Sequence, residues 1–253
     1  MDNFRKCEKS TNTDSQKTQE KLEERNLKVN ESKREEYTVS RKSEKERKEA
    51  EKNKLPTAKE SWINCKLLGS MIDTETDIKR RYKQANIAYH NLKNILTSKK
   101  VSLKTKIKLH KSLIESIFLY NCELWTMTKQ RENKIDIYQR TFLRNIVNIK
   151  YPKIITNDNL YKITNQIQWT KTIKYRRLKW FDHLCRLPED CPAKTALNEI
   201  LKKPKLPQGR PPNTWIENVK KDIKELNLNI NDAIELAKQR KFNIPIPKTV
   251  ISP

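Results

Sequence analysis

The residues best suited to chemistry are few and scattered. His183, Cys185 and Cys191 place three soft ligands within one short stretch. A tetrahedral zinc site needs a fourth ligand. None stands at a matching spacing, and Pro188 and Pro192 interrupt the run, so buried structural thiols are expected instead and no metal. Cys122 and His110 are the one pairing open to a Cys–His nucleophile, yet both read as core residues. Asp73 and Asp77 lie four apart on one helix face, a spacing compatible with paired carboxylates. Acids gathered in a first helical turn, favoured by the helix macrodipole, are the expected explanation instead. No Walker-type glycine loop or His-Glu-x-x-His occurs. No catalytic residue, cofactor or small-molecule substrate is therefore expected.

A basic and aromatic constellation carries more. On a helix starting at Trp169, the residues Trp169, Ile173, Trp180 and Leu184 take one face. Lys171, Lys174 and Lys179 fall away from it, while Arg176 and Arg177 flank it and lay their stems along it. The aromatic stripe is expected to be core rather than a stacking platform. The lysine face is the expected phosphate contact, with plain solvation as the alternative.

Charge supports that choice. The chain of 253 residues carries 55 Lys and Arg against 31 Asp and Glu, a net charge of +24. Residues 1–60 hold 17 basic and 14 acidic residues, leaving 38 basic and 17 acidic for the remainder. The surplus thus belongs to the part expected to fold, and it favours a polyanionic partner. Residues 1–60 have too few apolar side chains to offset ordering entropy. They are expected to form a disordered or loosely helical charged tail.

The elements that must position these residues read as helices. Only Gly69 and Gly209 occur, too few turn glycines for a strand-rich fold. Ile78, Tyr82, Ala85, Tyr89, Leu92 and Leu96 repeat at helical steps. Comparable stripes predict helices over about 76–97, 103–127, 131–149, from 157, 169–187, 193–202, and 231–240. Thr214 and Glu217 fit a capping box that starts a helix through Trp215, Val219 and Ile223. Residues 203–212 hold four prolines and read as an extended connector. Residues 62–72 read as a strand or hairpin edge whose ladder groups lack partners.

The expected fold is mainly α. It has a charged tail at 1–60, a helical bundle over 61–150 and a second small helical module over 151–253. Five scattered cysteines point to a reducing compartment. No run approaches the ~20 apolar residues of a membrane span, and no secretory signal is visible. An intracellular protein, nuclear or cytoplasmic and without a membrane partner, is expected.

Four stretches, in order, carry a family likeness. They are Leu68-Gly69-Ser70, Leu119-Tyr120 with Glu123 and Trp125, Trp180-Phe181-Asp182-His183 with Arg186, and Gly209-Arg210-Pro211 with Trp215. Together with Thr156-Asn157 and Leu160, this set resembles the region after the palm in reverse transcriptases of non-LTR (LINE-type) retrotransposons. Asn121 and Asp182 depart from it, since the family carries glycine at both places. The resemblance implies a thumb-like bundle, followed by a helical module, that grips an RNA template or RNA–DNA duplex, and it adds Arg140, Arg144 and Arg210 as candidates for nucleic-acid contact. It also implies that the catalytic aspartates of that family lie upstream of these motifs. Their adjacent Asp-Asp pair, which would hold metal ions, occurs nowhere here. The expected function is nucleic-acid binding without polymerase activity, and the alternative is a standalone basic helical DNA-binding or scaffold protein.

Overall fold

From Asp73 onward most of the backbone winds into helix, and the fold is mainly α. The computed structural model describes residue 24 and residues 66–149, 151–202 and 213–247. The charged segment 1–60 save residue 24, residues 61–65 and 150, the connector 203–212 with Arg210, and residues 248–253 lie outside the described residues.

A short hairpin precedes the helices, formed by β1 (Lys66–Leu67) and β2 (Ser70–Met71). Lys66 pairs with Met71 and Leu67 with Ser70, antiparallel. The turn takes φ of 47° at Leu68 and 84° at Gly69. Glycine adopts that region freely, whereas a leucine there is strained. The hairpin's backbone groups, expected to lack partners, are met by side chains of later elements. Met71 N–H donates to Asp77 Oδ1 at 2.9 Å, and Arg80 and Arg81 donate to Gly69 O at 2.7 and 2.6 Å. Tyr120 donates its hydroxyl to Leu68 O at 3.2 Å.

Helix α1 (Thr74–Thr97) follows, capped by Asp73, whose carboxylate accepts the Thr76 amide at 2.7 Å. Its buried Ile78, Ala85, Tyr89 and Leu96 form the stripe that the periodicity predicts. The next helix runs through α2 (Leu103–Leu109), a π-helical turn at His110–Glu115 and α3 (Ser116–Phe118). Periodicity predicts that this helix continues to residue 127, but it stops at Phe118. Asn121 turns left-handed with φ 55°, and a 3-10 turn at Cys122–Leu124 leads into extended backbone at Trp125. The break lets Leu119, Cys122 and Trp125 all enter the core. It also brings the Trp125 indole N–H to Asp77 Oδ2 at 2.9 Å. Asparagine tolerates the left-handed region better than most residues.

The remaining helices are α4 (Lys129–Val147), α5 (Asn157–Thr164), α6 (Trp169–Arg186), α7 (Pro192–Lys202), α8 (Trp215–Lys224) and α9 (Ile230–Lys238). Thr128, Thr156, Thr214 and Asn229 cap four of them through side-chain oxygens. Thr214 does so as its spacing predicts. Glu217 completes only half of the box, because its carboxylate pairs with Lys220 at 2.8 Å.

Two cores result. The first gathers α1 through α5 around Phe118, Phe142, Leu160 and the start of α6. Phe118 stacks on Trp169 with centroids 4.5 Å apart, and Tyr82 on Tyr138 at 3.6 Å. Such pairs contribute about 0.5–1.5 kcal/mol beyond simple burial. The second core joins Leu178, Phe181 and Leu184 of α6 to α7, α8 and α9. Helix α6 serves both, so the cores divide between Ile173 and Leu178, inside a helix rather than at residue 150. The buried phase of α6 is Trp169, Ile173, Arg177, Phe181 and Leu184. Phe181 therefore takes the core place expected for Trp180, which is half-buried at the edge of the second core.

Asp77 is 1% exposed and serves the Trp125 indole, the Met71 amide and, by ion pairing, Arg80 and Arg81. Asp77→Ala leaves Arg81 buried without its counter-charge, so urea unfolding should show a loss of about 3–5 kcal/mol. Trp125→Phe keeps an aromatic ring but a smaller one, and drops the hydrogen bond to Asp77. It should cost about 1–3 kcal/mol.

Candidate nucleic-acid interface

The face of α6 expected to meet phosphates is largely committed to the protein itself. Arg177 is 1% exposed and pairs with Asp222 through Nε at 2.8 Å and Nη2 at 2.7 Å. It cannot contact a polyanion, which corrects its placement among the phosphate ligands. The cause is helical phase, since position 177 follows Trp169 and Ile173 at steps of four on the inward face. Burial raises the Asp222 carboxyl pKa, and the Arg177 charge acts against it. Arg176 donates to Leu119 O at 2.7 Å, and Lys174 pairs with Glu225 at 2.7 Å. Lys171 and Lys179 alone of the five are exposed. Lys179 Nζ sits 5.6 Å from the Tyr175 ring centroid.

The α4 candidates are half-buried. Arg144 donates to Asn157 Oδ1 at 2.7 Å. Arg140 lies beside Asp136 and Tyr161. Burial raises both of their pKa values, the Tyr161 phenol to about 12, and the Arg140 charge opposes each shift. Arg210 lies outside the described residues.

Side chains from several elements meet at the irregular segment from Leu119 to Met127, Trp215 and Ser70 among the motif positions. Arg176 holds Leu119 O, Trp215 Nε1 donates to Glu123 O at 2.8 Å, and Arg177 reaches Trp125 O at 3.4 Å. Asn218 clamps the Met127 backbone on both sides, accepting its N–H at 2.6 Å and donating to its carbonyl at 3.0 Å. From the hairpin side, Asn121 donates to Ser70 Oγ at 3.1 Å. These residues thus position backbone that has no helix ladder to satisfy it. Their work is structural.

The scattered thiols and histidines do not converge either. His183 is exposed and Cys185 is buried, its thiol pushed up to about 11 by burial. Among the described residues no group of three or more His, Cys, Asp or Glu side chains is placed to hold a metal ion. Cys122 is buried, its thiol pushed up to about 12, with Arg176 and Glu123 at 3.9 Å as its polar neighbours. His110 is fully buried against Trp169 and Phe142. Neither of its ring nitrogens has a hydrogen-bond partner among the described residues.

A stronger basic surface lies on the first helices. Between Asp77 and Glu115 stand eleven Lys and Arg residues and no acidic residue. Lys99, Lys100, Lys104, Lys108 and Lys111 are all exposed. Lys104, Lys108 and Lys111 follow at steps of four and three, which lays them along one side of the helix. Among the described residues none of these five forms a salt bridge. The legible signal is the long absence of acids, which a search for aromatic neighbours passes over. No described helix is long and apolar enough to cross a membrane.

Compared with protein-family models, curated proteins and solved structures, the chain finds no match.

Two outcomes are expected from this arrangement. Arg177→Met strands Asp222 and should cost about 3–5 kcal/mol in urea unfolding, while adding Asp222→Leu should restore most of the loss. His110 has its pKa lowered by burial from 6.5 to about 4. The folded state keeps it neutral, so its contribution is complete above pH 6.5 and lost as pH falls towards 4. Over that window, wild type should lose about 3 kcal/mol relative to His110→Phe, the comparison cancelling the carboxylates that titrate in both.

Proposed function

We propose that this chain is a nucleic-acid-binding fragment of a non-LTR-type reverse transcriptase. It grips the sugar-phosphate backbone of an RNA template or RNA–DNA duplex and does not polymerise on its own. The observation that carries the reading is the acid-free stretch between Asp77 and Glu115, with its eleven basic residues and exposed, unpaired lysines. Phosphate contacts of this kind position a duplex without reading its sequence. The ordered motifs support the family part of the proposal through their order and spacing. Two of those positions also act as scaffold, since Trp215 holds the Glu123 carbonyl and Ser70 accepts from Asn121.

The test is fluorescence anisotropy with RNA, DNA and hybrid duplexes over a range of salt. Binding should be sequence-tolerant and weaken steeply with salt. Changing Lys104, Lys108 and Lys111 together to Gln should flatten the log–log slope by about two to three. Melting should barely move, because solvated lysines add little stability. Unchanged affinity and slope would remove this face from the interface. Metal-dependent nucleotide incorporation on a primed template by the purified chain would overturn the non-catalytic part.

A further inference from the structure

An open cavity of about 430 Å³ lies between α6 and the chain that follows α9. It is lined by Tyr175, Lys179 and Asp182 from α6 and by Phe242, Asn243, Ile244 and Ile246 from the extended segment. Its size falls within the range of small-ligand sites. We propose that this cavity accepts one unpaired nucleobase of a single-stranded RNA or DNA, with its phosphate on the neighbouring lysines. The inference rests on the proposed nucleic-acid binding and narrows it to a second, strand-selective contact.

The chemistry of the walls selects a planar, polar-edged ring. Ile246 is 68% exposed at the rim and Phe242 is buried beneath, which gives apolar surface for a base face. Tyr175 adds an aromatic ring, and bases of any sequence stack on such rings. Asp182 and Asn243 supply an acceptor and an amide for a base edge. The Asp182 charge is held by Arg186 one turn on, so it does not stand alone against a phosphate. Lys171, Tyr175 and Lys179 recur every four residues along α6, alternating cation, ring and cation. Lys179 Nζ now sits over the Tyr175 ring, and its flexible stem lets it exchange that contact for a phosphate oxygen. An apolar ligand would leave Asp182, Asn243 and both lysines unused. An anion without a ring would leave Ile246 uncovered.

The experiment compares the full chain with Tyr175→Ala and Tyr175→Phe, using a labelled twelve-nucleotide oligothymidine and a blunt DNA duplex of equal length. Tyr175→Ala should weaken the single strand about tenfold and leave the duplex unchanged, whereas Tyr175→Phe should keep both. Lys179→Gln should weaken the single strand and flatten its salt slope by about one. Equal single-strand affinity in wild type and Tyr175→Ala overturns the pocket while leaving the lysine face of α2 intact. So does an equal loss on both ligands by a Tyr175→Ala chain that melts as wild type does, which would show that the tyrosine makes no strand-selective contact. A wild-type chain that binds neither ligand overturns the proposed function and the pocket together.

Discussion

The nine-residue break from Leu119 to Met127 sets the constraint on which the rest of the fold depends. Backbone that leaves a helix and turns into a core exposes amides and carbonyls that water can no longer serve, and each one left unmet is costly. This chain meets them with side chains drawn from distant sequence. Arg176, Arg177, Trp215 and Asn218 approach from one side, and Asp77 secures the Trp125 indole from the other. Because α6 spans both cores, the guanidinium of Arg177 ties the first core's Trp125 carbonyl to the second core's Asp222. Its charge is buried, and a buried pair contributes geometry more than net stability.

A chain so poor in glycine needs another residue for left-handed backbone. Asparagine supplies it. Asn148 and Asn165 end α4 and α5 with φ of 59° and 49°, and Asn121 and Asn227 turn the chain elsewhere. Its short amide hydrogen-bonds locally and tolerates this region with less strain than the bulky Leu68 and Arg240, which adopt it too. Two glycines therefore suffice for a fold whose connections are mostly helix ends.

The helices were legible because apolar residues repeat at 3.6 across long windows, and stops such as Pro188 and the Thr214 cap have local causes. The break at Phe118 was not legible. Periodicity continues through Leu124, and only residues distant in sequence, Asp77, Arg176, Trp215 and Asn218 among them, reward leaving the helix. The same limit applies to the candidate interface. Arg177 looks like a flanking surface arginine until the true phase of α6 is known, and the one-residue difference between Trp180 and Phe181 decides it. The partners of Arg176 and Lys174 lie more than fifty residues away in sequence. The acid-free stretch, by contrast, could be read directly from the residues.

That stretch also stores a repulsion. Eleven cations between Asp77 and Glu115, without a single intervening carboxylate, raise the energy of the compact state through like-charge proximity. Counter-ions relieve it, and so does any polyanion that binds the folded form alone. On the proposed reading salt would act with opposite signs on two equilibria of one molecule, firming the fold while loosening its hold on a polyanion. A protein built this way is most strained by its own charge in dilute buffer, where screening is weakest.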